Sequence, residues 1–383
     1  MRWIASGLAD RGWSVRIATL ARSLDADAIL QLQRECPGVE VCAFDNPFGE
    51  HQPSYSVLGI ASNEWRAWRL MREFFLQSSK SSVSDVVLVP YLDYCSHVVA
   101  LLGSPFKRTP WVGIAMRPTF HYATMGIDAP PTRLGIVRTL LFRLLLRTRS
   151  LRRCLTIDEP LAMYANVKWP ASTGKLRYLA DPVQAMKLEP RAEARRKLGI
   201  PTDAKLVLAY GWITGRKGIG CLIDALVCSA TSATTHALIV GKLDDIVRET
   251  LRSPQALTLI RQQRLHVFDG WADEPTEAAA FSAADVVWLG YEGHWQSSGV
   301  LIQACQAGLP VIACDKGIIG WFTRKHKIGL AVAVRDPHAV ATAINDLVHE
   351  QVTELKMRTA GWTDLAERHS IKAALNTIES ALS

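Results

Sequence analysis

Short apolar runs closed by glycine or proline alternate along this chain with stretches whose apolar residues recur every three or four positions. Leu206 to Tyr210 is a continuous apolar run ending at Gly211, the pattern of a strand buried in a parallel sheet. Beyond it Ile219, Leu222, Ile223 and Leu226 fall at helical spacing. Ser297 to Gly308 reads as a small-residue turn, a short helix and a glycine stop, and Leu309-Pro310-Val311-Ile312 opens the next strand. In the first half, strands are predicted at Trp13–Leu20, Val39–Phe44, Asp85–Val89, Trp111–Ala115 and Leu155–Ile157. Helical stretches are predicted over 1–12, around 58–77 and 133–150, over 187–199, and at about 366–382. This alternation predicts an α/β protein with parallel sheets, and 383 residues are too many for one typical core.

Two segments carry candidate chemistry. Arg216 and Lys217 lie on a glycine-flanked loop beyond the predicted strand 206–210. Open α/β sheets bind ligands at such carboxyl ends, where arginine supplies a bidentate grip on phosphate and lysine a point charge. Ser297 and Ser298 stand where a helix begins, so their hydroxyls are candidate caps. The first N–H groups of that helix lack partners within it and favour an anion, which makes Ser297, Ser298, Gly299 and Val300 a candidate phosphate cradle.

In their order and spacing these segments resemble the C-terminal domain of family 4 glycosyltransferases. The resemblance runs through Tyr210-Gly211 and Arg216-Lys217-Gly218-Ile219, then Val240-Gly241, Val267 to Trp271 and Phe281 to Leu289. It continues through Ser297 to Ala313 and from Gly317 to Gly329-Leu330, spanning roughly residues 176 to 370. It implies the GT-B fold, two Rossmann-like doubly wound domains facing a cleft. Residues 1–178 would form the acceptor-side domain and 179–365 the nucleotide-sugar domain, with 366–383 a helix returning to the first. The family's usual first strand and its glycine-rich loop have no counterpart ahead of Met1–Gly12, which matches the first helix instead.

The resemblance also implies roles. Arg216 and Lys217 would neutralise a leaving diphosphate, and Gly211, Gly241, Ser297, Ser298, Gly299 and Val300 would line the donor site. The family's pair of glutamates is replaced by Trp295 and Gln303, with Glu292, three residues before the first place, the candidate to substitute there at the donor site. Gln303 can still hydrogen-bond a ribose hydroxyl but carries no charge. Trp212 stands where the family usually has arginine. The implied reaction is a retaining transfer of a sugar from a nucleotide-sugar to a saccharide, lipid-linked or other small acceptor. It requires no metal and no cofactor. Two alternatives stand beside it: a nucleotide-sugar epimerase of the same fold, and a non-catalytic relative that binds nucleotide-sugar or a partner.

The N-terminal half offers two polar–aromatic segments after predicted strands, Pro90 to His97 and Arg117 to Tyr122. His121 is the candidate to position an acceptor or ease proton transfer, since an imidazole titrates near neutrality. His97 reads as a packing histidine and Asp93 as a candidate N-cap or base. Seven arginines and no acid lie between residues 133 and 153, among leucines, which raises peripheral contact with an anionic membrane.

The net charge of +8, from 44 basic and 36 acidic residues, is compatible with an anionic partner. No nucleic-acid-binding module or dense lysine run is present. The eight cysteines form no C-x-x-C pair or zinc spacing and read as buried thiols of a reducing compartment. With no signal-peptide pattern and no membrane-spanning run, the expected location is the cytoplasm, or its membrane's inner face.

Overall fold

The computed structural model describes residues 2–24, 27–48, 56–81, 83–169, 174–228, 231–349 and 362–383. The chain divides into two compact units, Met1–Met125 with Pro130–Asp181 and Ile371–Ser383, and Gly126–Ala129 with Pro182–Ser370. The first unit runs α1 (Arg2–Ala9), β1 (Arg16–Leu20), α2 (Asp27–Glu35), β2 (Glu40–Phe44), α3 (Val57–Ser81), β3 (Val87–Val89) and α4 (Ser96–Leu102). It continues with β4 (Trp111–Ala115), α5 (Gly135–Leu146), β5 (Leu151–Thr156), α6 (Glu159–Lys168) and β6 (Leu176–Tyr178). The second unit runs α7 (Arg191–Leu198), β7 (Lys205–Tyr210), α8 (Ile219–Val227), β8 (Thr235–Val240), α9 (Asp245–Thr250), α10 (Pro254–Arg261) and β9 (Leu265–Phe268). Then follow α11 (Glu274–Ala283), β10 (Val286–Leu289), α12 (Gly299–Gln306), β11 (Val311–Cys314), α13 (Gly317–His326), β12 (Gly329–Val332) and α14 (Pro337–His349). The closing helix α15 (Ile371–Leu382) belongs to the first unit.

Every sheet pairing is parallel. The second unit has the order β12-β11-β10-β7-β8-β9, so the direction of winding reverses between β7 and β10. Its strands alternate strictly between two cores. Leu206, Leu208, Val240 and Leu289 enter one hydrophobic cluster; Val207, Ala209, Ile239 and Trp288 enter the other. Both faces are covered by helices, which is why these strands read as unbroken apolar runs.

The first unit has the four-stranded sheet β3-β4-β5-β6 and a separate β1-β2 pair. Trp111 and Ala115 face one core, while Val112 and Ile114 face the other. That second face is closed by Ile4 and Leu8 of α1 and Leu375, Ile378 and Leu382 of α15. Glu379 ties the two helices' neighbourhood together, accepting from Arg11 at 2.6 Å and the Trp13 indole at 3.1 Å. Trp13 is thereby outside the strand that the sequence predicts to include it; β1 starts at Arg16.

Two further expectations are corrected. The helix expected over 366–382 is interrupted at His369 and Ser370, where Val183 donates its N–H to His369 and bridges Ser370. The arginine-rich stretch is not one basic helix. Arg138 and Arg143 lie on α5, Arg152 and Arg153 on β5, and the remaining three flank the helix. Arg152 donates to the Leu382 carbonyl, and Arg143 lies 5.9 Å from the Trp169 ring.

Candidate functional site

The carboxyl ends of β7 and β10, at the point where the sheet order reverses, carry the two cations. Beyond β7 the chain turns at Gly211, and Gly215–Lys217 form one 3-10 turn leading into α8. Asp244, which caps α9 by accepting from Val247, also accepts the Gly215 N–H at 3.0 Å. The end of β10 grips the same turn twice. The Trp288 indole donates to the Lys217 carbonyl at 2.8 Å, and the Glu292 N–H donates to the Arg216 carbonyl at 2.7 Å. Gly218 makes the close approach possible: its φ is +63°, and a Cβ there would lie 2.2 Å from the Gly290 oxygen. Gly241, at the end of β8, packs equally closely on the Gly211 carbonyl, where a Cβ would have 1.7 Å.

Arg216 is exposed and Lys217 half-buried. The Lys217 ammonium hydrogen-bonds the Tyr210 carbonyl and lies 4.9 Å from the Tyr291 ring centroid. Burial, helped by the Arg216 charge, pushes its pKa down to about 8. Among the described residues neither cation has a carboxylate partner, as a site for an incoming anion requires.

The helix α12 begins at Gly299 with Ser298 as N-cap. Contrary to the sequence expectation, Ser298 makes no side-chain cap; its hydroxyl donates to the Tyr291 hydroxyl at 3.4 Å. The first N–H groups of α12 therefore keep their capacity to bind an anion. Ser297 presents its carbonyl to His294 Nε2 at 3.1 Å, and Val300 packs on the core beside it. His294 is held below its ordinary pKa chiefly by burial, with the Arg216 and Lys217 charges adding to it. Only its place two residues after Glu292 marks this imidazole in the sequence.

Glu292, the candidate for the first glutamate's place, is held by Arg335 at 2.5 Å, with the Cys221 thiol 3.5 Å away. The carboxylate beside Gln303 is that of Glu277 of α11, which accepts the Gln303 side-chain amide. The Tyr210 hydroxyl also bonds Glu277, and together with burial this raises the phenol's pKa. No sequence-local signal marks Glu277, which reads only as a first-turn acid of a helix.

In the first unit His121 does not reach the surface. It is wholly buried, with Nε2 3.1 Å from Asp158 and the rings of Phe120, Tyr122 and Tyr164 around it. The expected acceptor contact is thus corrected to a buried histidine–carboxylate pair. Asp158 also caps α6 through the Leu161 N–H at 3.0 Å. Asp93 is no N-cap but a clamp, accepting the Met116 and Arg117 N–H groups at 2.7 and 2.8 Å. His97 packs against Glu64, its Nδ1 2.5 Å from the carboxylate.

Comparison with known proteins agrees with the second unit's geometry. Residues 204–350 match the family model described as glycosyl transferases group 1. A phosphatidyl-myo-inositol mannosyltransferase of Mycobacterium leprae is 33% identical over 172 residues, covering 44% of this chain and 44% of that protein. The chain thus matches less than half the length of that curated relative. Solved structures are similar across nearly the whole chain. A sucrose-phosphate synthase from Thermosynechococcus elongatus gives a TM-score of 0.66 at 18% identity, over 98% of this chain and 90% of that one. The Anabaena protein HepE, solved with UDP and glucose, gives 0.63 at 16% identity, over 100% and 94%. The fold is GT-B, and the segment that carries Arg216, Lys217 and the α12 N-terminus is the one that matches the glycosyl transferases group 1.

Proposed function

We propose that this protein transfers a sugar from a nucleotide-sugar donor to a saccharide or lipid-linked acceptor in glycoconjugate biosynthesis, with retention at the anomeric carbon. The observation that carries the reading is the pair Arg216–Lys217, fixed at the switch point of the β7–β10 sheet with no carboxylate partner among the described residues. The bond between the anomeric carbon and the diphosphate oxygen breaks, and its electrons leave with the diphosphate. Negative charge grows there, and Arg216, Lys217 and the first N–H groups of α12 are its preorganised counterpart. The acceptor hydroxyl forms the new bond on the same face, and its proton passes to the departing diphosphate oxygen. Gln303 contacts the ribose, with Gly211, Gly241, Ser297, Ser298, Gly299 and Val300 lining the donor, and the protein cations fill the role for which other transferases use a metal. Residues 1–178 serve the acceptor and 179–365 the donor.

The proposed location is the cytoplasmic face of a membrane. The support is the outer face of α5, where Ile136, Val137, Leu140 and Leu144 are exposed beside Leu134, with Arg133 and Arg147 at its ends. Among the described residues no helix is long and apolar enough to cross a membrane. All eight cysteines are free thiols.

The donor reading is tested by thermal shift with a panel of nucleoside diphosphates and their sugars, with and without chelator. A dose-dependent rise for one base, lost in Lys217→Ala and indifferent to chelator, is expected. No shift with any nucleotide would overturn it. Product analysis with that donor alone then separates transfer from epimerisation.

A further inference from the structure

The first unit holds a cavity of about 420 Å³ at the carboxyl ends of β3 and β4, walled by α3 and α5. Its acids are already engaged. Glu64, 5% exposed, accepts the backbone N–H groups of His97 and Val98 at 2.9 and 3.3 Å and the His97 ring contact described above. Asp93 is occupied by the N–H groups of Met116 and Arg117. Two guanidiniums border the same cavity, Arg117 from the loop after β4 and Arg138 from α5, and neither has an acidic partner among the described residues. At its mouth stand the rings of Tyr91 and Tyr94, each about half exposed and with centroids 6.1 Å apart.

A lined cavity whose carboxylates are saturated and whose arginines are not is built for an anion. Guanidinium forks match the oxygens of a phosphate. Half-exposed tyrosines offer a ring face and a hydroxyl to a polyhydroxylated ring. We propose that this cavity binds the acceptor, and that the acceptor is a phosphoester of a sugar or polyol, its phosphate held by Arg117 and Arg138 and its ring by Tyr91 and Tyr94. The inference rests on the transferase reading for the word acceptor, but the binding itself does not. The same phosphoester exists free or as a lipid headgroup, and the exposed apolar face of α5 adjoins Arg138, so both sources have access.

The test is calorimetric titration of the full chain with glucose 6-phosphate, glucose and inorganic phosphate in the presence of saturating nucleoside diphosphate, which occupies the other phosphate site. Glucose 6-phosphate is expected to bind at least tenfold more tightly than glucose. Arg117→Gln and Arg138→Gln should each weaken it tenfold or more, and Arg138→Lys should restore part of the affinity. Nucleotide affinity stays unchanged in these variants. The lipid arm uses phosphatidylcholine vesicles with and without phosphatidylinositol. Sedimentation that requires phosphatidylinositol and both arginines assigns a lipid-borne ester; binding of the soluble ester alone assigns a free one. Equal binding of glucose and glucose 6-phosphate, or phosphoester and vesicle binding that both survive the two arginine changes, would overturn the proposal. That result leaves the donor reading intact, since nucleotide binding is scored separately.

Discussion

Gln303 donates its side-chain amide to the carboxylate of Glu277, and this contact fixes which end of the amide faces a ligand. With Nε2 committed to Glu277, the Gln303 carbonyl is the acceptor left for a ribose hydroxyl. Tyr210 bonds the same carboxylate through its hydroxyl, while its own carbonyl receives Lys217. Tyr210 therefore joins the proposed phosphate-binding lysine, held at its carbonyl, to the Glu277–Gln303 pair, held at its hydroxyl.

Removing the central carboxylate should loosen both ends. Glu277→Ala is expected to weaken nucleotide binding about tenfold, or ~1.4 kcal/mol, with an unchanged circular dichroism spectrum. Titration of the variant with the nucleotide that stabilises the native chain decides it. Native affinity in a folded variant would show that Gln303 needs no support from Glu277.

The depressed pKa of Lys217 gives the donor site a pH dependence of known sign. Free, the lysine loses its proton as pH rises through about 8. An anionic diphosphate beside the ammonium favours the charged form and raises the bound pKa. Above about pH 8 affinity should therefore fall, by at most about tenfold per pH unit, and binding near pH 8.5 should take up a proton. Calorimetry in two buffers of different ionisation enthalpy measures that uptake directly. Proton release, or none, would count against a lysine–diphosphate contact.

Gly218 is the residue that lets the cation loop lie against β10. Gly218→Ala must place a methyl group 2.2 Å from the Gly290 oxygen at a positive φ, so the turn has to move. The expected loss is about 1–3 kcal/mol of stability. Nucleotide affinity should drop with it, because Arg216 and Lys217 move as well. Urea unfolding and nucleotide titration on one preparation measure the two effects.

Asp158 serves two buried partners through one oxygen, the cap of α6 and His121. Asp158→Ala is expected to cost about 2–4 kcal/mol, the sum of a lost cap and a stranded buried imidazole. Asp158→Asn keeps an acceptor and should cost less. Denaturant midpoints of the two variants in the same buffer test this order.

The exposed face of α5 predicts a vesicle effect. Leu140→Asp, at a position 56% exposed, should leave thermal stability within a degree or two and cut sedimentation with anionic vesicles severalfold. Equal sedimentation would remove α5 from any membrane surface.

The fold class, the strand at Leu206–Tyr210, the cation loop and the start of α12 are all legible in the chain itself. They depend on local facts: apolar runs, glycine at turns and residue spacing. The Rossmann-like alternation follows from the same signals, because a strand covered on both faces is continuously apolar. What the local signals cannot carry is the partner of each polar group. Ser298 looks like a cap and instead bonds Tyr291; Glu292 looks like the replacement carboxylate and is held by Arg335. Glu277 stands 26 residues from Gln303 and meets it only because α11 and α12 pack on the same face of the sheet. His121 sits in a motif that suggests a ligand contact, yet the packing of Phe120, Tyr122 and Tyr164 buries it on Asp158. The arginine-rich stretch reads as helical over 133–150, and a turn after α5 divides its arginines between helix and strand. The sequence thus determined which elements form, though not all of their ends, since backbone preference and burial periodicity act over a few residues. The tertiary structure decided which side chains meet, because hydrogen bonds and ion pairs depend on distances that only the packed sheet and helices set.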